Sequence, residues 1–365
     1  MRIVFISCYF NHHQKPVCDV LNQITKGEFR FVATEKISEW RKQLGYNEIT
    51  ASYVINYSVD CNKEEILNLI NQADVVVTDA EDLSLTSQRY HEGKLTFRFC
   101  ERLFKSRTRY LKAPLHFLKA LWTRKMFLLC NSAYTASDFR KLGFYKDHAY
   151  KWGYFPETKH YDSLDSMINT SRTASILWAG RLIEWKHPEY AIYAAQYLRM
   201  HSVPFTMSII GTGELFDKLQ SLIVVNNLEG LVRMLGPMSP ERVREYMEFS
   251  DVFLFTSDRN EGWGAVLNEA MNSACAVVAN YAIGSVPYLI RNGENGFYYR
   301  TKNEFLSELD KVVKDINLRH RLQKSAYETI INQWNANVAA HSFVRLVNGI
   351  RNGDVTINDG PCSMA

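Results

Sequence analysis

From one end to the other, the chain alternates short, near-continuous apolar runs with segments of helical spacing, and few architectures accept that pattern. In the first half the runs are 2–7 (RIVFIS), 28–34 (EFRFVAT), 52–57 (SYVINY), 75–80 (VVVTDA) and 126–131 (MFLLCN). In the second half they are 175–180, 206–211, 232–236, 252–257 and 276–280. Each is rich in β-branched or aromatic residues and bounded by polar ones, as strands are. Helical spacing lies between several of them, as at 64–72 and near 187–201, 214–227, 239–249 and 264–273. Apolar strands alternating with helices predict a parallel sheet covered on both faces. At 365 residues the chain is too long for one small core. The expected fold class is therefore α/β, with two tandem doubly wound Rossmann-like domains facing a cleft, since open α/β sheets bind ligands outside the carboxyl ends of their strands.

The first domain is expected over 1–155 and the second over 173–333. A polar, period-free linker at 156–172 carries Pro156. Helices near 303–314, 318–331 and 335–350 close the chain, and the Gly-rich tail at 353–365 is expected to be flexible. Seven scattered cysteines, odd in number and without a CxxC pair, suit neither a disulfide framework nor a zinc site, and predict a reducing, cytoplasmic setting. The apolar start of about eight residues suits a first strand better than a signal peptide. The uncharged run 274–290 holds Asn280, Gly284 and Pro287 and falls short of a membrane span. A net charge of +4 argues against wholesale nucleic-acid binding.

The stretch SDRNEGWGAVLNEAM at 257–271 is the most informative. It follows an apolar strand and enters a helix through a Gly-Trp-Gly turn. Gly262 and Gly264 permit unusual backbone angles, and the helix beyond offers unpaired N–H groups to a phosphate. Glu261 precedes that helix and Glu269 lies about five residues into it, roughly 7–8 Å along the axis. The two stand as a solvated loop charge and a helix-surface carboxylate, or as carboxylates gripping hydroxyls at the two ends of a ligand with phosphates between. In WAGRLIEWKHPEYAIYAA, 178–195, Arg181 follows a buried strand and Lys186 stands five residues on. Two cations there suit a diphosphate, and equally a solvated loop. The Gly-x-Gly turn of IIGTGELFDKL, 209–219, is a weak signal alone.

Together, EGWGAVLNE with GRLIEWK, IIGTGEL and GSVPYLIRNGENGFYY resemble the retaining, nucleotide-sugar-dependent glycosyltransferases of the GT-B fold (group one, family four-like). The resemblance is specific over about 175–300 and fainter at 131–144 (NSAYTASDFRKLGF). It implies a donor held by the second domain, an acceptor held by the first, and a closing helix at 334–352 that returns to the first domain. It assigns Arg181 and Lys186 to the donor diphosphate, Glu269 to the ribose hydroxyls and Glu261 to the transferred sugar. Gly213 and the backbone amides of Gly264 and Ala265 complete the donor set. Trp263 stands where Phe is commoner in the family, and Ala265 where a larger aliphatic is frequent.

In the first domain, His12 and His13 follow strand one at the place where family members often carry a Gly-rich turn, and are candidates to touch the acceptor or the leaving phosphate. Asp79 and Glu81, after the strand at 75–80, are candidate acceptor contacts. Segment 84–125 holds eleven Lys or Arg against two Glu, interleaved with aromatics and leucines. Helical stretches of that kind suit an anionic membrane surface, or a solvated basic face over an ordinary core; Pro114 breaks any single long helix.

The implied reaction is transfer of a hexosyl group from a nucleoside-diphosphate sugar to a hydroxyl of a glycan or lipid-linked acceptor, with retention, at the cytoplasmic side and possible peripheral contact with the inner membrane. Bacterial surface polysaccharide synthesis is the expected setting. No Asp-x-Asp metal motif stands where a diphosphate would need one, so no metal and no other cofactor is expected. Two alternatives remain: an epimerase acting on the nucleotide sugar, and a non-catalytic docking partner of a glycan assembly machine.

Overall fold

The computed structural model describes residues 1–37, 49–57, 63–79, 83–103, 126–143, 145 and 147–365. Among them, the strands form two sheets, each within its own compact unit. One unit comprises Met1–Glu157 with Trp334–Ala365, and the other Thr158–Gln333.

The first unit holds β1 (Ile3–Ser7), β2 (Phe29–Ala33), β3 (Val54–Asn56), β4 (Val75–Thr78), β5 (Thr96–Cys100), β6 (Met126–Cys130) and β7 (Ala149–Lys151). They lie side by side in the order β3-β2-β1-β4-β5-β6-β7, parallel throughout. The second unit holds β8 (Ala174–Ala179), β9 (Phe205–Ile210), β10 (Val232–Gly236), β11 (Val252–Phe255), β12 (Ala276–Asn280) and β13 (Phe297–Tyr299). Their order is β10-β9-β8-β11-β12-β13, again parallel. Every residue of β1, β4, β6 and β11 is buried, which is why these strands read as unbroken apolar runs. Both sheets are doubly wound about their first strand. The order reverses between β1 and β4 in one and between β8 and β11 in the other, and such reversals open a crevice at the carboxyl ends.

Three strands lay outside the sequence expectation. β7 and β13 are three residues each, too short to show a period. β5 (TFRFC) sits inside the basic segment 84–125 and is a central strand with Phe97 fully buried. This corrects the helical reading of that segment over 96–100, and two of its cations are not available to a membrane. Arg98 is buried, and Arg89 has no exposed surface. The Arg89 guanidinium donates to the carbonyls of Ile70, Ala73 and Leu95 at 2.8 Å each, and to Thr96 Oγ1 at 3.3 Å. Burial lowers its pKa to about 10, so it remains charged and ties the end of the helix Lys63–Gln72 to the start of β5. The rest of the segment, 104–125, lies outside the described residues, as do Glu81 and Cys61. Among the described residues no helix is long and apolar enough to cross a membrane.

The helix Ala336–Asn352 starts where Asn335 Oδ1 accepts from Val338 N at 3.0 Å, a side-chain cap. It packs on the first unit through Phe343, whose ring meets Phe97 at 5.2 Å, Phe5 at 5.8 Å and Trp152 at 5.9 Å. Of the tail expected to be flexible, 353–359 is largely exposed, while its last residues are docked. Cys362 N donates to Lys151 O, Lys151 N to Ser363 O and Ala365 N to Ala149 O, so Tyr150 and Met364 form an antiparallel bridge along the edge of β7. Cys362 and Ser363 are buried. A polar, Gly-rich composition does not predict such docking. The tail is held because the edge strand presents backbone groups that need partners.

Candidate active site

Build the second unit outward from its strand reversal and the cations and carboxylates fall together. β8 ends at Ala179, and its chain runs through Gly180 and Arg181 into a single turn at Glu184–Lys186. β11 ends at Phe255 and continues through Thr256, Ser257 and Asp258 to Glu261. Three contacts bind the two loops. Thr256 Oγ1 donates to Lys186 O at 2.7 Å and accepts from Trp178 Nε1 at 2.8 Å, while Asp258 N donates to Trp185 O at 2.9 Å. The loops are thereby held in register, and Lys186 Nζ forms an ion pair with Glu261 Oε2. Both side chains are nearly buried, at 15% and 11% exposure, which decides against two solvated loop charges. Ser257 Oγ donates to the same oxygen at 2.9 Å. Glu261 Oε1 makes no hydrogen bond with a described residue and is the oxygen left to face a ligand. Lys186 has three donors and one is used on Glu261, so it too can turn to an anion. Arg181 is exposed and lies with its guanidinium 5.5 Å from the centre of the Trp185 ring.

The glycines act by close approach. An atom added as Cβ at Gly211 (φ +141°) would lie 1.8 Å from Gly180 O, and one at Gly213 (φ +156°) 2.4 Å from Leu182 O. Gly180 N donates to Ile210 O and Leu182 N to Thr212 O. The Gly-x-Gly turn is thus pressed backbone to backbone against the Arg181 loop, and Gly213 shapes the site through that packing. Gly264 (φ +79°) lets the chain turn beneath Glu261, since a Cβ there would meet Phe255 Cζ at 2.3 Å. Trp263 is fully buried, with Nε1 donating to Asn268 Oδ1 at 2.9 Å. Its bulk braces the turn. Ala265 stands at the mouth of the helix Val266–Asn272 with no side-chain cap on its first turn.

Glu269, within that helix, is not drawn to Glu261. Burial raises its pKa to about 7, opposed only by the positive charge of Arg244. Arg244 is itself buried on the helix Pro240–Glu248, donating to Asn272 Oδ1. A carboxyl that titrates near neutrality in a crevice is a common mark of a binding site. Sequence reasoning missed Ser257, Asp258 and Arg244. The first two lie inside the stretch already singled out; Arg244 carries no local signal, since only the tertiary fold sets it near Glu269.

In the first unit the corresponding reversal holds a different set. Ser7 ends β1 and donates to Asp79 Oδ2 at 2.5 Å, just past β4, and accepts from Gln14 Nε2 at 3.3 Å. Asn11 Oδ1 accepts from His13 N and Gln14 N, an Asx turn that fixes the loop before the helix Lys15–Ile24. The rings of His12 and His13 lie 3.8 Å apart. Ser7, His13, Gln14 and Asp79, with Phe31, Phe99 and Trp152, line a cavity of about 30 Å³, room for about one water. Burial raises the Asp79 pKa to about 6 against the opposing hydrogen bond from Ser7. His13 and Asp79 are therefore brought to one cavity.

With this geometry in view, residues 169–329, most of the second unit, match the model of the family described as Glycosyl transferases group 1. The two doubly wound sheets in this order along the chain are the GT-B fold. The chain is similar to the crystal structure of Anabaena HepE in complex with UDP, with a TM-score of 0.69 at 15% identity, covering 96% of this chain and 100% of that one. It is also similar to WaaG, described as a glycosyltransferase involved in lipopolysaccharide biosynthesis, with a TM-score of 0.61 at 14% identity over 95% and 100% of the two chains. Among curated proteins it is 30% identical over 152 residues to the amylovoran biosynthesis glycosyltransferase AmsK of Erwinia amylovora, covering 40% of this chain and 36% of that protein. The chain spans between 36% and 47% of the length of the first such relatives it matches.

Proposed function

We propose that this protein is a retaining glycosyltransferase that moves a hexosyl group from a nucleoside-diphosphate sugar to a hydroxyl of a glycan or lipid-linked acceptor, in the assembly of a bacterial surface polysaccharide. The observation that carries the reading is the buried Lys186–Glu261 pair, with Ser257 behind it and Arg181 beside it, at the strand reversal of a group 1 domain. Loss of a nucleoside diphosphate leaves negative charge on the departing oxygen, and preorganised cations at the right place lower that barrier. Lys186 and Arg181 supply them, with the backbone amides of Gly264 and Ala265. Glu261 Oε1 takes a hydroxyl of the transferred sugar and so orients it. Glu269 takes the ribose hydroxyls, and the proton is taken from the acceptor by an oxygen of the leaving phosphate.

On this reading His12, His13 and Asp79 of the first unit meet the acceptor, and Glu81 remains a candidate there. With two cations already set for the diphosphate, transfer needs no metal. Contact of the 84–125 segment with an anionic membrane remains part of the proposal only through cations other than Arg89 and Arg98. UDP is the first nucleotide to try, since the similar HepE was crystallised with it.

The test is a thermal-shift and product screen with UDP, GDP, ADP, CMP and dTDP sugars, with and without EDTA. A ligand at a hundred times its Kd stabilises by about 2.7 kcal/mol. A hit that survives EDTA and is lost in Glu269→Ala supports the donor site. Transfer that vanishes with EDTA would remove the metal-free part, and a changed nucleotide sugar without acceptor would favour an epimerase.

A further inference from the structure

His187 stands directly after Lys186 with φ +51°, a left-handed conformation that few side chains other than those of Asn, Asp and His adopt readily. Its ring lies between the carboxylate of Glu189, the first residue of the helix Glu189–Met200, and that of Asp258 on the loop after β11. Nδ1 is 2.9 Å from Glu189 Oε1, and Nε2 is 3.7 Å from Asp258 Oδ2. A neutral imidazole that donates from Nδ1 to Glu189 turns a bare Nε2 lone pair towards Asp258, whereas the imidazolium donates to Glu189 and forms an ion pair with Asp258. Asp258 O in turn accepts from Glu261 N at 3.1 Å. One peptide bond on one side and one hydrogen-bonded turn on the other thus connect the His187–Asp258 contact to the Lys186–Glu261 pair.

We propose that His187 is a positioning residue whose imidazolium clasps the loop after β8 to the loop after β11, so that the register of Lys186 against Glu261, and with it donor affinity, weakens as pH rises. The consequence for donor affinity rests on the donor-site reading above; the clasp itself does not. The charged and titratable groups facing the ring are Glu189 and Tyr190 from the helix Glu189–Met200 and Asp258 from the other loop, with Lys218 acting on Glu189 from the helix Phe216–Val225. The hydrogen bond to Glu189 raises the His187 pKa, against the opposing effect of burial. Hence the clasp is complete below the ordinary histidine value of about 6.5 and is lost as pH climbs through the higher folded one.

The experiment is a pH titration of the full chain by NMR, from mildly acidic to mildly alkaline, beside UDP affinity measured across the same range. His187→Asn serves as the control, because Asn tolerates the left-handed backbone and carries no charge, and Asp258→Asn repeats the test from the other loop. The expected result is a His187 midpoint above the ordinary value, with the Glu261 amide, on the far loop, moving at that midpoint in the parent chain and in neither variant. UDP affinity should fall about fivefold more in the parent than in His187→Asn, the low end of coupling between linked sites. UDP titrates identically in both samples, so its own ionisation cancels in that difference. A Glu261 amide that ignores the His187 midpoint, or superimposable affinity profiles, would overturn the clasp. Absence of UDP binding in the parent chain would count against the nucleotide reading alone, and the amide response would still decide the clasp.

Discussion

The two units share one topology and put different chemistry at its one privileged place. At the reversal between β8 and β11, a cation and a carboxylate neutralise one another under near-complete burial. At the reversal between β1 and β4, a hydroxyl, an amide and a carboxyl form a chain around a small cavity lined also by His13. Buried cations are present in the first unit too, but Arg89 is spent on backbone carbonyls. The fold thus decides where a ligand can sit, and only the side chains decide which one. Each crevice also holds one carboxyl pushed up by burial, Asp79 to about 6 and Glu269 to about 7.

The sharpest way to break this comparison is Glu261→Gln. If the second unit carries the donor chemistry, turnover should fall about 10²–10³-fold, the scale for losing one preorganised electrostatic contact, while the circular dichroism spectrum stays that of the folded parent. Near-parental transfer would remove Glu261 from the reaction.

Next comes Gly211→Ala, whose added carbon has no room beside Gly180 O. It should destabilise the second unit by about 3 kcal/mol or more, as forced clashes at special backbone angles do. Hydrogen exchange should quicken in β8 and β9 and stay unchanged in β1 and β4. Arg89→Leu reverses the pattern. Ile70 O and Leu95 O keep a backbone donor, from Ala73 N and Val76 N, but Ala73 O loses its only one among the described residues, which should cost roughly 2–3 kcal/mol, read as faster exchange in β4 and β5 alone.

The smallest expected effect concerns the two raised carboxyls. In each, the folded state keeps a proton that the unfolded chain releases, so stability falls as pH rises from the ordinary carboxyl range through about 6 for Asp79 and about 7 for Glu269. Asp79→Asn and Glu269→Gln should each raise the melting temperature above neutrality by about 2–4 °C, and Glu269→Gln should weaken nucleotide binding at the same time. A variant no more stable than the parent above neutrality would show that its carboxyl is ionised without cost in the fold.

Ten of the strands and the closing helices were legible because a strand buried on both faces must be an unbroken apolar run and a surface helix must show its period. The cluster proposed to hold the donor was legible for a related reason. Arg181 and Lys186 lie in one continuous stretch and Glu261 and Glu269 in another, each directly after a strand. The Gly-x-Gly turn was visible, but why Gly211 and Gly213 must be glycine was not, since the Gly180 and Leu182 carbonyls that exclude a side chain come from a different stretch of chain. Composition misled at both ends of the charge scale. β5 hid inside a basic run whose Arg89 and Arg98 are buried, and the polar tail docks on β7 through backbone groups that no side-chain pattern reports. The sequence by itself determined the layers, the strand positions and the residues at each strand end, because burial and period are local properties. Only the tertiary structure decided that Lys186 meets Glu261 over Ser257, that Arg244 lies near Glu269 and that His187 spans two loops. Those contacts depend on which strand ends lie side by side, and that is set by packing across the whole sheet.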